Sequence, residues 1–154
     1  MQTIFYLVQH GEAKSKEEHP ERPLTEKGIE ESKKVAHHLS EKGVKPDVII
    51  HSGKTRAKQT AEIYAEYLKP EKGVLQGDNL APLDNPTIWA DKLKKEDTSV
   101  MLVGHLPHLS KLLSLLLTEN PEIEIAKFRY SCCIAISKEK VNFKIKWFFT
   151  PEIV

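Results

Sequence analysis

Three apolar runs in this 154-residue sequence end on residues that can bind or attack an anion. Ile4 to Val8 leads into Gln9-His10-Gly11. Asp47 to Ile50 leads into His51-Ser52-Gly53, with Arg56 shortly after. Ser99 to Val103 leads into Gly104-His105-Leu106-Pro107-His108. If each run is a strand of one open α/β sheet, these residues gather beyond the strands' carboxyl ends, where such sheets bind ligands. Two of the three segments also precede a helix start, whose unpaired N–H groups and positive dipole end favour anions. A cluster of His and Arg there suits a phosphoryl group. Its transition state spreads negative charge over three oxygens while the entering and leaving atoms lie in line.

Each residue taken alone has a plainer reading. A single His after a strand is more often structural or superficial, and Gly11 by itself marks a turn. Arg56 alone is an ordinary first-turn residue, although a cation beside the positive end of a helix hints at an anionic partner. The coincidence at corresponding strand ends carries the argument. His19 falls in a loop, and His37 and His38 are expected on the solvent side of a helix. His51 and His108 lie near the expected pocket without an assigned task.

The elements that must position these residues follow from periodicity. Thr25 can cap a helix over Glu26 to Glu41, with Ile29, Val35, Ala36 and Leu39 on one face and Gly43 ending it. A second helix is predicted over Thr55 to Leu68, closed by Pro70. A loop from Gly77 to Pro86 precedes a short helix near Thr87 to Lys95. Pro107 is expected at the first position of an apolar helix reaching Leu117. Phe128 to Ser137 and Val141 to Phe149 read as strands joined by Lys138-Glu139-Lys140, an antiparallel hairpin. The pattern predicts a three-layer α/β/α sandwich with a mostly parallel sheet and antiparallel edge strands. The whole chain, 1–154, is expected to form a single domain.

Composition excludes several classes. With 23 Lys+Arg against 22 Asp+Glu the formal charge is +1, which argues against a nucleic-acid binder. No apolar run approaches the ~18 residues needed to span a bilayer. The apolar Met1 to Val8 lacks a basic flank and reads as a first strand, not a signal peptide. Cys132 and Cys133 are adjacent, so they form neither a disulfide framework nor a spaced metal motif, and read as buried thiols. No HExxH helix or comparable ligand spacing is present, and no metal or other cofactor is expected. These readings predict a cytoplasmic monomer with no nucleic-acid or membrane partner.

Four segments together resemble the histidine phosphatase (phosphoglycerate mutase-like) superfamily, and within it the short phosphohistidine phosphatases of the SixA kind. Leu7-Val8-Gln9-His10-Gly11-Glu12-Ala13 is similar to the family's Arg-His-Gly signature. Arg22-Pro23-Leu24-Thr25-Glu26-Lys27-Gly28 is similar to its Arg-Pro-Leu-Thr-x-x-Gly segment. Ser52 to Ala61 resembles Ser-Pro-x-x-Arg-Ala-x-Gln-Thr-Ala, and Val103 to Pro107 resembles the Gly/Ser-His-x-Pro segment. The resemblance implies a metal-independent phosphatase. His10 would be the nucleophile, forming a covalent phosphohistidine that water hydrolyses, and Arg56 and His105 would bind the phosphoryl oxygens. A neutral imidazole nitrogen suits that role near pH 7. The implied substrate is a phosphorylated protein, above all on histidine, or a small phosphate compound. A phosphate- or phosphoprotein-binding module of little or no activity and a phosphomutase are the alternatives.

The departures from the family pattern matter. Gln9 stands where the family has Arg, keeping two donors but losing a charge and a bidentate fork. Losing a charge-assisted phosphate contact costs on the order of 1.5–3 kcal/mol unless another group replaces it. Arg22 is the expected replacement and is predicted to face the pocket, whereas Lys14 and Lys16 read as solvated charges. Gly53 stands where the family often has Pro. Asp84, in Leu80-Ala81-Pro82-Leu83-Asp84-Asn85-Pro86, is the candidate general acid, with a turn-capping role as the competing reading and Glu12 as a weaker rival.

Overall fold

The computed structural model describes residues 2–154. Within them strands and helices alternate: β1 (Gln2–Gln9), α1 (Glu26–Glu41), β2 (Val48–His51), α2 (Thr55–Leu68), β3 (Val74–Gln76), α3 (Pro86–Lys95), β4 (Val100–Gly104) and α4 (His108–Thr118). The hairpin β5 (Cys133–Glu139) and β6 (Asn142–Phe149) follows, and a 3-10 turn over Pro151–Ile153 closes the chain. The sheet order is β3-β2-β4-β1-β5-β6. β3, β2, β4 and β1 pair in parallel, while β5 runs antiparallel to β1 and β6 antiparallel to β5. The predicted three-layer α/β/α sandwich is therefore the observed one.

Alternation along β1 shows how the layers form. Phe5 and Leu7 pack with Trp89, Leu93, Leu109, Leu112 and Leu113, which belong to α3 and α4. Tyr6 and Val8 point the other way, into a cluster with Val35, Ala36, Leu39, Ala57, Ala61 and Tyr64 from α1 and α2. Successive strand side chains face opposite sides, so a sheet covered on both faces needs a continuous apolar run. Cys132 and Cys133 are buried on opposite faces as free thiols. Burial pushes the Cys132 thiol up to about 11 and raises that of Cys133 as well, so both are uncharged.

Helix ends are tied down by identifiable groups. The Thr25 hydroxyl accepts from the Gly28 N–H at 3.0 Å and caps α1. Asn85 caps α3 by accepting from the Thr87 N–H at 3.0 Å. At the other end of α3, the buried Lys138 of β5 donates its ammonium to the carbonyls of Leu93, Lys94 and Glu96. A cation there satisfies orphan carbonyls and complements the negative end of the helix dipole.

Several local expectations are corrected. β3, absent from the expected elements, is a three-residue, largely exposed edge strand and so lacks the apolar run that marks the others. Phe128 to Cys132 is not strand: Ser131 has φ +64, which breaks extended structure, and β5 begins only at Cys133. The hairpin turn shrinks to Lys140 and Val141 between β5 and β6. Pro107 occupies the position before α4, not the first helical one. His38 is not on the solvent side of α1; its ring meets Phe149 edge-on, with centroids 4.7 Å apart.

Candidate active site

Sheet register places the two central histidines. β1 and β4 are neighbours, with Gln9 opposite Gly104, so the next residues, His10 and His105, leave the sheet side by side. The His10 N–H extends the ladder by donating to the Gly104 carbonyl at 3.1 Å. The two imidazole centroids lie 4.9 Å apart, and both residues are buried. β2, on the other side of β4, ends at His51 and delivers Ser52, whose hydroxyl lies 2.7 Å from His105 Nε2. This is the crevice at the carboxyl ends of adjacent parallel strands where open sheets take ligands.

Hydrogen bonding fixes the tautomer of His10. Its Nδ1 is 2.7 Å from the Gly11 carbonyl, which can only accept, so Nδ1 carries the hydrogen. Nε2 is then left with its lone pair. Gly11 is itself pinned, its N–H donating to the Thr60 hydroxyl at 2.9 Å, and that hydroxyl donating in turn to the Arg56 carbonyl at 2.8 Å. A Cβ at Gly11 would come within 2.9 Å of the Gly28 carbonyl and of Ser32 Oγ, so only glycine fits this approach. Gly28 is likewise required, because a Cβ there would run into the carbonyl of Glu12.

The field at this point is strongly positive. Burial pushes the His10 imidazole down to about 4, reinforced by the charges of Arg56 and Arg22 and partly opposed by the Gly11 bond. Burial, followed by His10, Arg56, Lys54 and His108, pushes His105 down to about 3. Arg56 is lowered by burial and by Arg22, while Tyr130 acts in the opposite sense. Both histidines are therefore neutral near pH 7, and the fixed cations at the site are Arg56, Arg22 and Lys54. Among the described residues the ion pairs are His37 with Glu41 and Arg129 with Glu152, so none neutralises these cations, and cations gathered in this way favour a bound anion. Arg56 Nε and Gln9 Oε1 are buried without hydrogen-bond partners among the described residues, and Arg56 Nε is placed to donate to such an anion.

The structure thus brings His10, His105 and Arg56 together, with Gln9 next to His10 in the chain. The Arg22 charge acts on both His10 and Arg56, and its Nε donates to the Lys14 carbonyl at 3.0 Å, which holds the side chain in place. Asp84 is placed differently. Its Oδ2 accepts from the Ala81 N–H at 2.9 Å, closing a turn before α3, and its charge acts on His108. His51 is occupied structurally, accepting the Gly53 N–H on Nδ1 at 3.0 Å. Two residues without an assigned role join the site. Ser52 meets His105, and the half-exposed Tyr130 places its ring 5.7 Å from that of His10. Ser52 stood in a recognisable segment, but nothing in the sequence marked Tyr130. Among the described residues, no group of three or more His, Cys, Asp or Glu side chains is placed to hold a metal ion. Among the same residues, no helix is long and apolar enough to cross a membrane.

Paired histidines at adjacent strand ends, backed by arginine, make a cationic crevice that suits a phosphoryl-sized anion. The sequence pattern of the histidine phosphatase superfamily (branch 1) matches residues 5–81, and the chain belongs to that superfamily. The match spans His10, Arg22 and Arg56, while His105 lies beyond it. An uncharacterized protein of Picosynechococcus sp. is 38% identical over 115 residues, 70% of this chain and 68% of the relative. Among solved structures, the protein histidine phosphatase SixA complexed with tungstate superposes with a TM-score of 0.84. It is 24% identical, over 98% of this chain and 97% of that one. A phosphoserine phosphatase from Entamoeba histolytica, in complex with phosphoserine, gives 0.73 at 16% identity, over 97% and 98%.

Proposed function

We propose that this protein is a phosphatase that takes a phosphoryl group from phosphohistidine, on a protein, through a covalent intermediate on Nε2 of His10. The observation that carries the reading is the sign of the charges around the two histidines. The groups acting on His10, His105 and Arg56 are arginines, a lysine, imidazoles and a tyrosine, whereas the Asp84 charge acts on His108 and the Glu62 charge on His51. An alkoxide leaving group needs a proton donor, commonly a carboxylic acid. A phosphorylated imidazole protonated on its distal nitrogen brings its own proton.

The chemistry then balances in two steps. The lone pair on His10 Nε2 forms an N–P bond as the substrate's P–N bond breaks, its electron pair returning to the substrate ring, which leaves as neutral imidazole. Arg56, Arg22 and His105 bind the oxygens of the transferring group, whose charge they are placed to meet. Water then attacks phosphorus and His10 leaves, releasing inorganic phosphate. The likeness in fold to a SixA protein complexed with tungstate, an oxyanion, is consistent with a phosphoryl-sized anion as ligand.

Turnover of free phosphohistidine, p-nitrophenyl phosphate and phosphoserine tests the reading, with His10→Ala as control. We expect phosphohistidine to give the highest kcat/KM, by about tenfold or more, and the control to be inactive. Faster phosphoserine hydrolysis would make the protein a small-metabolite phosphatase. Tight phosphate binding with no turnover of any substrate would make it a binding module.

A further inference from the structure

Tyr130 is a large aromatic residue 46% exposed beside a buried nucleophile. Its placement is enforced by the next residue. Ser131 is fully buried with φ +64, a left-handed conformation that non-glycine residues seldom adopt. It is held from several sides. Its N–H lies 3.1 Å from the Gln9 carbonyl and 3.3 Å from that of His10, and its carbonyl accepts from the Tyr64 hydroxyl at 2.7 Å. Its hydroxyl is 2.9 Å from that of Ser32. These contacts fasten the loop to β1, α1 and α2 together, so the backbone that carries Tyr130 cannot move away from His10 without breaking buried hydrogen bonds. On that anchored backbone the partly exposed Tyr130 keeps its ring beside the His10 ring, tilted 40° to it. Leu106, which follows His105 directly, is also 38% exposed.

We infer that Tyr130 is the floor of a leaving-group subsite that takes a planar nitrogen heterocycle bearing the phosphoryl group. The inference rests on the phosphohistidine reading and adds how the leaving group is recognised. The face of an aromatic ring is electron-rich, so it favours another ring in a tilted or offset arrangement, and a cationic ring still more. A phosphoimidazole protonated on its distal nitrogen is both planar and cationic until its P–N bond breaks. An alkyl phosphate presents neither feature. Tyr130 therefore selects between leaving groups while His10 and Arg56 treat their phosphoryl groups alike.

Phosphoimidazole and glycerol phosphate, assayed on the same preparations of wild type, Tyr130→Phe and Tyr130→Leu, test this. The ratio of the two rates within one preparation does not depend on the folded fraction. Tyr130→Leu is expected to lower kcat/KM for phosphoimidazole about three- to tenfold, the range an aromatic pair contributes. Glycerol phosphate should stay within about twofold, and Tyr130→Phe, which keeps the ring face, should stay near wild type on both. Equal losses on the two substrates, no loss on either, or failure of Phe to restore phosphoimidazole turnover would overturn the subsite. The wild-type preference is read separately. A wild type that favours glycerol phosphate sinks the phosphohistidine reading, yet a selective loss in Tyr130→Leu would still support the subsite.

Discussion

Replacing His10 with Asn should make the protein less sensitive to mild acid, and the size of the effect follows from burial. In the unfolded chain the imidazole titrates near 6.5, whereas in the folded protein burial and two arginines hold it down to about 4. As pH falls below 6.5, the unfolded state binds a proton that the folded state refuses. The stability associated with neutral His10 is thus present above 6.5 and is lost as pH falls towards 4. Each pH unit in that window removes ~1.4 kcal/mol, so the loss between pH 7 and pH 4.5 is about 2–3 kcal/mol. His105 contributes in the same direction and persists in the variant, relieved of one protonatable neighbour. The two titrate as a pair, which makes the difference between proteins the quantity to read. Urea unfolding at both pH values gives it. The wild type should lose about 2 kcal/mol more than His10→Asn on acidification. Equal losses would refute a buried, neutral His10.

Further consequences concern single groups. Arg22→Ala should weaken inhibition by inorganic phosphate about tenfold or more, the size of a charge-assisted contact, while Lys14→Ala changes it less than twofold; equal effects would remove Arg22 from the site. Lys138→Met should destabilise the fold by about 2–4 kcal/mol in urea, because three carbonyls at the end of α3 lose their donor. A loss under ~0.5 kcal/mol would contradict that capping role. Asp84→Asn should leave both glycerol phosphate hydrolysis and phosphoimidazole turnover within about twofold, as expected of a turn residue; a hundredfold loss on glycerol phosphate alone would restore it as the general acid.

The long helices were readable because their signals are local. Thr25 and the spacing of Ile29, Val35, Ala36 and Leu39 mark α1, and its observed bounds are the predicted Glu26–Glu41. The central strands were equally plain, since a sheet covered on both faces requires unbroken apolar runs such as Ser99 to Val103. β3 carries no such signal, being three residues long at an edge with Leu75 52% exposed. The site divides along the same line. His10, Arg56 and His105 announce themselves at strand ends, but the approach of the two imidazoles depends on the Gln9–Gly104 register. Tyr130 was invisible because its place comes from Ser131, whose left-handed backbone is held by Tyr64, Ser32 and β1. Apolar Phe128 and the strand that follows made the same stretch look like an extended run.

Trapping the covalent intermediate tests the central claim most directly. The protein is mixed with phosphoimidazole, quenched in alkali within one turnover, digested and mapped by mass spectrometry and phosphorus NMR. One phosphoryl group is expected on His10, attached to Nε2, because Nδ1 donates its hydrogen to the Gly11 carbonyl. Phosphate on another residue, on His10 Nδ1, or on no residue while turnover proceeds would contradict the account.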